Sequence, residues 1–224
     1  MRKTKPVTTD IYQKLKSEII NFQLMPGQML MVQQLAKVFN VSRTPVREAV
    51  IRLKEDGFVE EASGRKFRVT EITWEFINNL YEVRTILETQ AIHVNAERMT
   101  KEQIAKLRCF VDKMDEYHRT NDNERLFEAD LGFHNYILAM LGNKIVDNWM
   151  ANLHDHQQRI RYLTVTIDGR LGSSATEHAQ IVEYLEKGDF KNAESALRSH
   201  LESTVADIHK YYDKNPGIAS KLIK

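Results

Sequence analysis

The sequence has one cysteine, Cys109, in 224 residues. That excludes an intramolecular disulfide framework and suits a reducing compartment. No apolar run approaches membrane-spanning length and the opening does not read as a signal peptide, so a cytoplasmic location is expected. No Gly-rich phosphate loop occurs, nor a Ser nucleophile in a recognisable setting, so nucleotide hydrolysis and acyl transfer have no motif to rest on. Four prolines and nine glycines leave room for long helices. Net charge is also scarce, at +1, but it is unevenly spread. Residues 1–70 hold 13 Lys+Arg against 7 Asp+Glu, a balance of +6; the remaining 19 against 24 give −5. A basic head on an acidic body fits a polyanion-binding domain joined to a different kind of domain.

What is present begins with Val41-Ser42-Arg43-Thr44-Pro45-Val46-Arg47. Ser42 is an N-cap candidate, and Pro45 falls in a first turn, where a missing N–H costs little. Arg43 and Arg47, four apart, share a helix face, while Val46, Ala49, Val50 and Leu53 form the opposite apolar stripe. Such a helix suits a major groove, its first turns meeting base edges and phosphates. The alternative is an ordinary amphipathic helix with solvated arginines. Around it, an apolar stripe from Thr9 to Phe22 predicts a helix ended by Met25-Pro26-Gly27, with Met1 to Pro6 a mobile arm. Val32 to Phe39 predicts a second, ended by a left-handed Asn40. The third helix runs from Ser42 to about Asp56, with Gly57 closing it. Phe58–Glu61 and Lys66–Thr70 read as two strands joined at Ala62-Ser63-Gly64-Arg65. The whole reads as a winged helix-turn-helix, whose wing places Arg65 and Lys66 near phosphate or the minor groove.

From Thr70 onward nearly everything reads as helix. Six are predicted: from Thr73 to about Met99, from a Thr100 cap, from Asn123 to the Gly142-Asn143 break, and from Ile145 to about Thr166. The fifth runs from Ser173 or Ser174 to Lys187, after a loop over Asp168–Gly172, and the sixth from about Phe190 to Lys214, with a frayed tail. The fold class is therefore mostly α: a winged head over residues 1–72 and an antiparallel all-helical bundle over 73–224.

Asp130 and His134, four apart on one helix, can meet a single ion; His178 and His200 each lie in the apolar stripe of their own helix. Three imidazoles and a carboxylate suit zinc first, with nickel possible, and manganese if waters complete an octahedron. The alternative is three core histidines satisfied by hydrogen bonds. His154-Asp155-His156 also looks metal-like, but alternate helical positions diverge by ~200°, so at most one histidine could face a site. His93, His118 and His209 have no matched partners.

The quoted head residues, with Pro26-Gly27, Leu35-Ala36, Glu48-Ala49 and Gly57-Phe58-Val59, resemble the DNA-binding domain of GntR-type transcriptional regulators over about residues 9–70. The resemblance implies operator contacts from Ser42, Arg43, Thr44 and Arg47, with Gln33 from the preceding helix and Ser63 and Gly64 from the wing. Further on, Glu82-Val83-Arg84 with Leu87-Glu88, Asp130 with Phe133-His134, Glu177-His178 and Ser199-His200-Leu201 resemble the FCD effector domain of the FadR-type subfamily over about residues 75–212. Metal-binding members use an Asp and three His at these motif positions, which implies Asp130, His134, His178 and His200 as ligands. Arg84 is similar to an arginine that binds effector carboxylates in relatives; its alternative role is an i,i+4 pair with Glu88. Arg159 and Arg161 are further cavity candidates, Arg161 preferred. The expected function is that of a ligand-responsive regulator, a repressor, acting as a homodimer on a palindromic operator and sensing a small carboxylate or sugar acid. The competing reading is a metal-dependent hydrolase with an accessory winged-helix domain, a reading that lacks a general base beside the ligands. A purely structural helical protein would leave the winged motif unexplained.

Overall fold

The computed structural model describes residues 5–63, 66–165, 167, 170–217, 220 and 223, with the side chains at 5, 6, 148, 151, 152, 161, 162, 165 and 171 excepted. The described chain forms nine named helices and one three-stranded sheet. It divides into two compact units: Met1–Trp74 with His154–Arg159 and Pro216–Lys224, and Glu75–Leu153 with Ile160–Asn215.

In the first unit α1 (Lys5–Ile20), α2 (Val32–Val38) and α3 (Arg43–Glu55) surround one core. Leu15, Ile19, Val46, Ala49, Val50 and Leu53 are fully buried in it. α1 starts four residues before the expected Thr9, so part of the predicted arm is helical. Asn40 has φ 52° and Gly57 has φ 82°, the left-handed conformations that let the chain turn out of α2 and α3. Ser42 occupies the N-cap of α3 with extended backbone, but its hydroxyl makes no capping bond. β2 (Val59–Ala62) and β3 (Lys66–Val69) pair antiparallel as the wing, with Val59 opposite Val69 and Glu60 opposite Arg68. A third strand, β1 (Met29–Leu30), pairs on the other edge of β3 and was not expected, because two residues carry no periodic signal. The tail also differs from the frayed end expected: Ile223 is 4% exposed and bridges Ile72.

The named elements after β3 are all helices, α4 (Trp74–Asn95), α5 (Lys101–Arg119), α6 (Asn123–Ala139), α7 (Lys144–Val165), α8 (Arg170–Glu186) and α9 (Phe190–Lys214), and they make up the second unit except for Trp74 and for His154–Arg159 of α7. α5 packs on α6 and on α8, and α8 on α9. Thr100 caps α5 in a full capping box with Gln103. α4 ends at Asn95 rather than Met99, where the Asn95 amide turns back to the Ala91 carbonyl. α8 begins at Arg170, earlier than the expected Ser173, so Arg170, Gly172 and both serines are helical. Gly132 lets α5 approach α6 closely: a Cβ there would sit 2.5 Å from the Phe110 ring. No described helix is long and apolar enough to cross a membrane.

Candidate metal centre and nucleic-acid interface

Asp130 and His134 lie one turn apart on α6, His178 on α8 and His200 on α9. One donor atom from each lies within 4.8 Å of every other. The His178 Nε2 is 3.0 Å from the His134 Nε2 and 3.5 Å from Asp130 Oδ1. Ligands at 2.0–2.1 Å around a tetrahedral ion are about 3.3 Å apart, so these two spacings match a donor shell. The three histidines are buried, and Asp130 is half-buried.

The outer ring nitrogens explain the orientation. Nδ1 of His178 lies 2.6 Å from the Ser174 carbonyl one turn back on α8. A carbonyl only accepts, so that nitrogen carries the proton and Nε2 is left as a lone pair. Nδ1 of His134 lies 2.5 Å from Glu88 Oε2, and Nδ1 of His200 lies 2.6 Å from Glu177 Oε2. Each ring is thus held from behind by an oxygen, and the Nε2 atoms of His134 and His178 face one another. Two imidazole lone pairs cannot face each other at 3.0 Å unless a proton or a cation lies between them.

Burial pushes His178 down to about 4 and the neighbouring His200 adds to this. Burial likewise holds His134 well below its ordinary value and lowers His200 despite Glu177. Burial alone would raise the Asp130 carboxyl, but His178, His134 and His200 more than offset it and leave it lowered. Three neutral imidazoles and one carboxylate are the protonation states a metal ion requires.

Arg84 is buried on α4, one turn before Glu88, and its Nε donates to Glu88 Oε1 at 2.8 Å. The i,i+4 pairing considered from the sequence therefore forms. Because the bond uses Nε, no described hydrogen bond holds the two Nη groups. Arg170 on α8 donates to Glu177 through both Nη groups and contacts Thr204, bracing the carboxylate behind His200. Glu88, Glu177 and Ser174 were quoted in the sequence as motif or cap residues, not as supports for the histidines. The spacing Ser174–His178 could have suggested one of these contacts. Glu88 is 46 positions from His134, so nothing local could have suggested that one.

Other predicted positions lie elsewhere. Arg159 does not face this centre: it belongs to the first unit, where Nη1 donates to Thr70 Oγ1 at 2.9 Å and Nη2 to the Thr70 carbonyl. Its burial lowers it to about 10. The Arg161 side chain lies outside the described residues. Neither His154 nor His156 joins the cluster. His156 stacks on Phe58 with ring centroids 4.1 Å apart and bonds the Asp56 carbonyl; Asp155 pairs with Lys16. His93 and His209, for which no metal-binding partners were expected, lie outside the cluster and bond Glu194 and Asn78.

On the first unit, the first turns of α3 present Ser42, Arg43, Thr44 and Arg47 to solvent, opposite the buried stripe. Gln33 on α2 joins them: one concavity is lined by Gln33, Asn40, Ser42 and Arg43, and a neighbouring one by Gln33, Arg43, Thr44 and Arg47. Neither Arg43 nor Arg47 is within ion-pair distance of a carboxylate among the described residues. Ser63 and Lys66 are exposed on the wing; Gly64 and Arg65 lie outside the described residues.

Two family models match the chain: the FCD domain over residues 79–203, and "Bacterial regulatory proteins, gntR family" over residues 7–69. The uncharacterized HTH-type transcriptional regulator YdhC of Bacillus subtilis is 28% identical, over 89% of this chain and 89% of its own. The HTH-type transcriptional repressor RspR of Escherichia coli is 26% identical, over 95% of this chain and 93% of its own. A solved GntR regulator from Rhodococcus sp. RHA1 superposes with a TM-score of 0.74 at 25% identity, covering 92% of this chain and 98% of the other. These relatives are regulators, not enzymes, and nothing among them supports the hydrolase reading. The chain belongs to the gntR family of bacterial DNA-binding transcriptional regulators, with an FCD effector domain following its winged helix-turn-helix.

Proposed function

We propose that this regulator is a repressor that senses a small carboxylate, such as a sugar acid, through a divalent metal held by Asp130, His134, His178 and His200. The observation that carries this is the pair of buried Nε2 atoms 3.0 Å apart, with the His178 proton committed to the Ser174 carbonyl. Zinc suits three imidazoles and one carboxylate best, with nickel or manganese as alternatives. When bound, the ion supplies a fixed positive charge at which a carboxylate can be held. Arg84 is the second anchor: its unused Nη pair suits a carboxylate bidentately. Asp130, the one half-buried ligand, marks the approach from solvent.

At the other end, residues 1–72 act as the DNA-binding domain and 73–224 as the effector and dimerisation domain. Arg43 and Arg47 read base edges, Arg being able to bridge guanine O6 and N7, while Ser42, Thr44, Gln33, Ser63, Gly64, Arg65 and Lys66 anchor phosphate and the groove edge. One winged domain touches few bases, so two copies on a palindrome supply specificity. Effector and operator binding are then linked: a ligand that prefers one state of the protein changes operator affinity by its differential affinity, and the operator changes ligand affinity by the same factor. The repressor named among the relatives supports the sign of regulation.

The test joins elemental analysis to a gel shift on the DNA upstream of the protein's own gene. One equivalent of metal, lost in Asp130→Ala and His178→Ala while DNA binding persists, is the expected result. A metal-free protein purified without chelator, unable to take up zinc, nickel or manganese, overturns the sensing half. Failure to retard its upstream DNA at any carboxylate concentration overturns the operator half.

A further inference from the structure

Resting on the metal reading above, we infer that Glu88 is a positioning residue that ties the ligand His134 to the carboxylate receptor Arg84, making the two halves of the sensing site one unit. Each oxygen of Glu88 has its own partner: Oε1 accepts from Arg84 Nε at 2.8 Å and Oε2 lies 2.5 Å from His134 Nδ1. Its side chain is fully buried, with none of the exposure of a surface helix pair. An exposed i,i+4 pair would need only Arg84; the contact to a second helix 46 positions away does not follow from helix stabilisation.

The chemistry assigns Glu88 two tasks. A carboxylate behind Nδ1–H holds the imidazole plane and makes Nε2 a stronger donor to a cation. The same carboxylate grips Arg84 by Nε, which leaves the Nη edge for a second partner and, with the Tyr81 ring 5.0 Å from Cζ, stops the guanidinium from swinging. An amide in place of the carboxylate keeps the shape, carries no charge and offers only one accepting atom where two are used.

The probe is Co2+ alone, on the full-length chain. Wild type is compared with Glu88→Gln and with Glu82→Gln, which alters an exposed carboxylate on the same helix. In Glu88→Gln, Co2+ affinity measured against a chelator should fall about ten- to a hundredfold, with shifted visible bands; Glu82→Gln should match wild type. Equal affinity and an identical spectrum in Glu88→Gln overturn the inference and leave the metal centre standing. Wild type that takes up no Co2+ overturns the metal reading itself, and the inference with it. A second measurement uses the unmodified protein, so that it stands even if the variant does not fold. In 15N-labelled, Zn2+-loaded wild type, His134 should be protonated at Nδ1 and metal-bound at Nε2, and the Arg84 Nε–H should be protected from exchange. A bare or metal-bound Nδ1, or a freely exchanging Nε–H, overturns it.

Discussion

The recognition helix α3 and the surroundings of the histidine cluster use arginine in opposite ways. On α3, Arg43 and Arg47 are exposed and have no carboxylate within ion-pair distance among the described residues. On α4 and α8, Arg84 and Arg170 are buried and each is held by a glutamate. An exposed guanidinium loses little by waiting for a partner, because water solvates it. Desolvating an isolated charge costs several kcal/mol, which Arg84 and Arg170 offset with carboxylates and the buried Arg159 of the first unit only with the Thr70 hydroxyl and carbonyl. Arg43 and Arg47 can therefore wait for a polyanion that arrives from outside, while Lys16, Lys54 and Arg68 of the same unit are already paired. The bundle has already committed its charges, and what it leaves open is a cluster of lone pairs and one guanidinium edge.

The sharpest way to break the comparison is to remove the metal centre. Wild type with metal at about 1,000 times its Kd should be stabilised by ~4 kcal/mol over the chelated protein, and His178→Ala should lose the whole of that increment. Thermal denaturation with and without chelator measures it; an undiminished increment in the variant would exclude His178 as a ligand. Next come the head arginines. Arg43→Ala and Arg47→Ala should each cost ~1–3 kcal/mol of discrimination at one base pair and leave metal content unchanged. Binding titrations on operators altered one base pair at a time read this, and unaltered discrimination would reduce both residues to phosphate contacts.

A third test uses pH. The folded His178 sits at about 4 against an ordinary 6.5, so between those values the unfolded chain binds more protons than the folded one. The metal-free protein should therefore gain stability as pH rises through that window and lose it as pH falls. Urea midpoints of chelated protein at about pH 5 and about pH 7.5 check the sign, and a higher midpoint at the lower pH refutes it. The smallest effects belong to a cap outside both sites and to a phosphate anchor at the edge of one. Thr100→Ala should cost ~1 kcal/mol through the lost capping box, with operator and metal affinities unchanged. Lys66→Ala on the wing should weaken binding evenly across DNA sequences and reduce the salt slope by about 1.

Legibility followed the range over which each feature is built. The helix-turn-helix was readable because Ser42, Arg43, Pro45 and Arg47 lie in the N-cap and first two turns of one helix. The punctuation also held: Asn40 and Gly57 are left-handed, and Thr100 caps as expected. Asp130 and His134 were readable as a pair because four residues bring side chains to one face. What failed was either very short or very distant. β1 exists only because β3 offers it an edge. Arg159 met the Thr70 hydroxyl and carbonyl instead of the cavity expected for it, and a helical position alone does not say which neighbour a guanidinium meets.

The order of residues by itself determined which segments are helical, which faces are apolar, where the basic charge lies and that Asp130 and His134 share one helix face, because all of these depend on neighbours within a few positions; His178 and His200 joined them through the family resemblance. Only the tertiary structure decided that the three imidazoles converge, His134 and His178 through their Nε2 atoms, with Glu88, Glu177 and the Ser174 carbonyl against their Nδ1 atoms. Two of those supports come from glutamates 46 and 23 positions from the histidines they hold. Only packing sets the angle of a buried ring, and with it which nitrogen carries the proton.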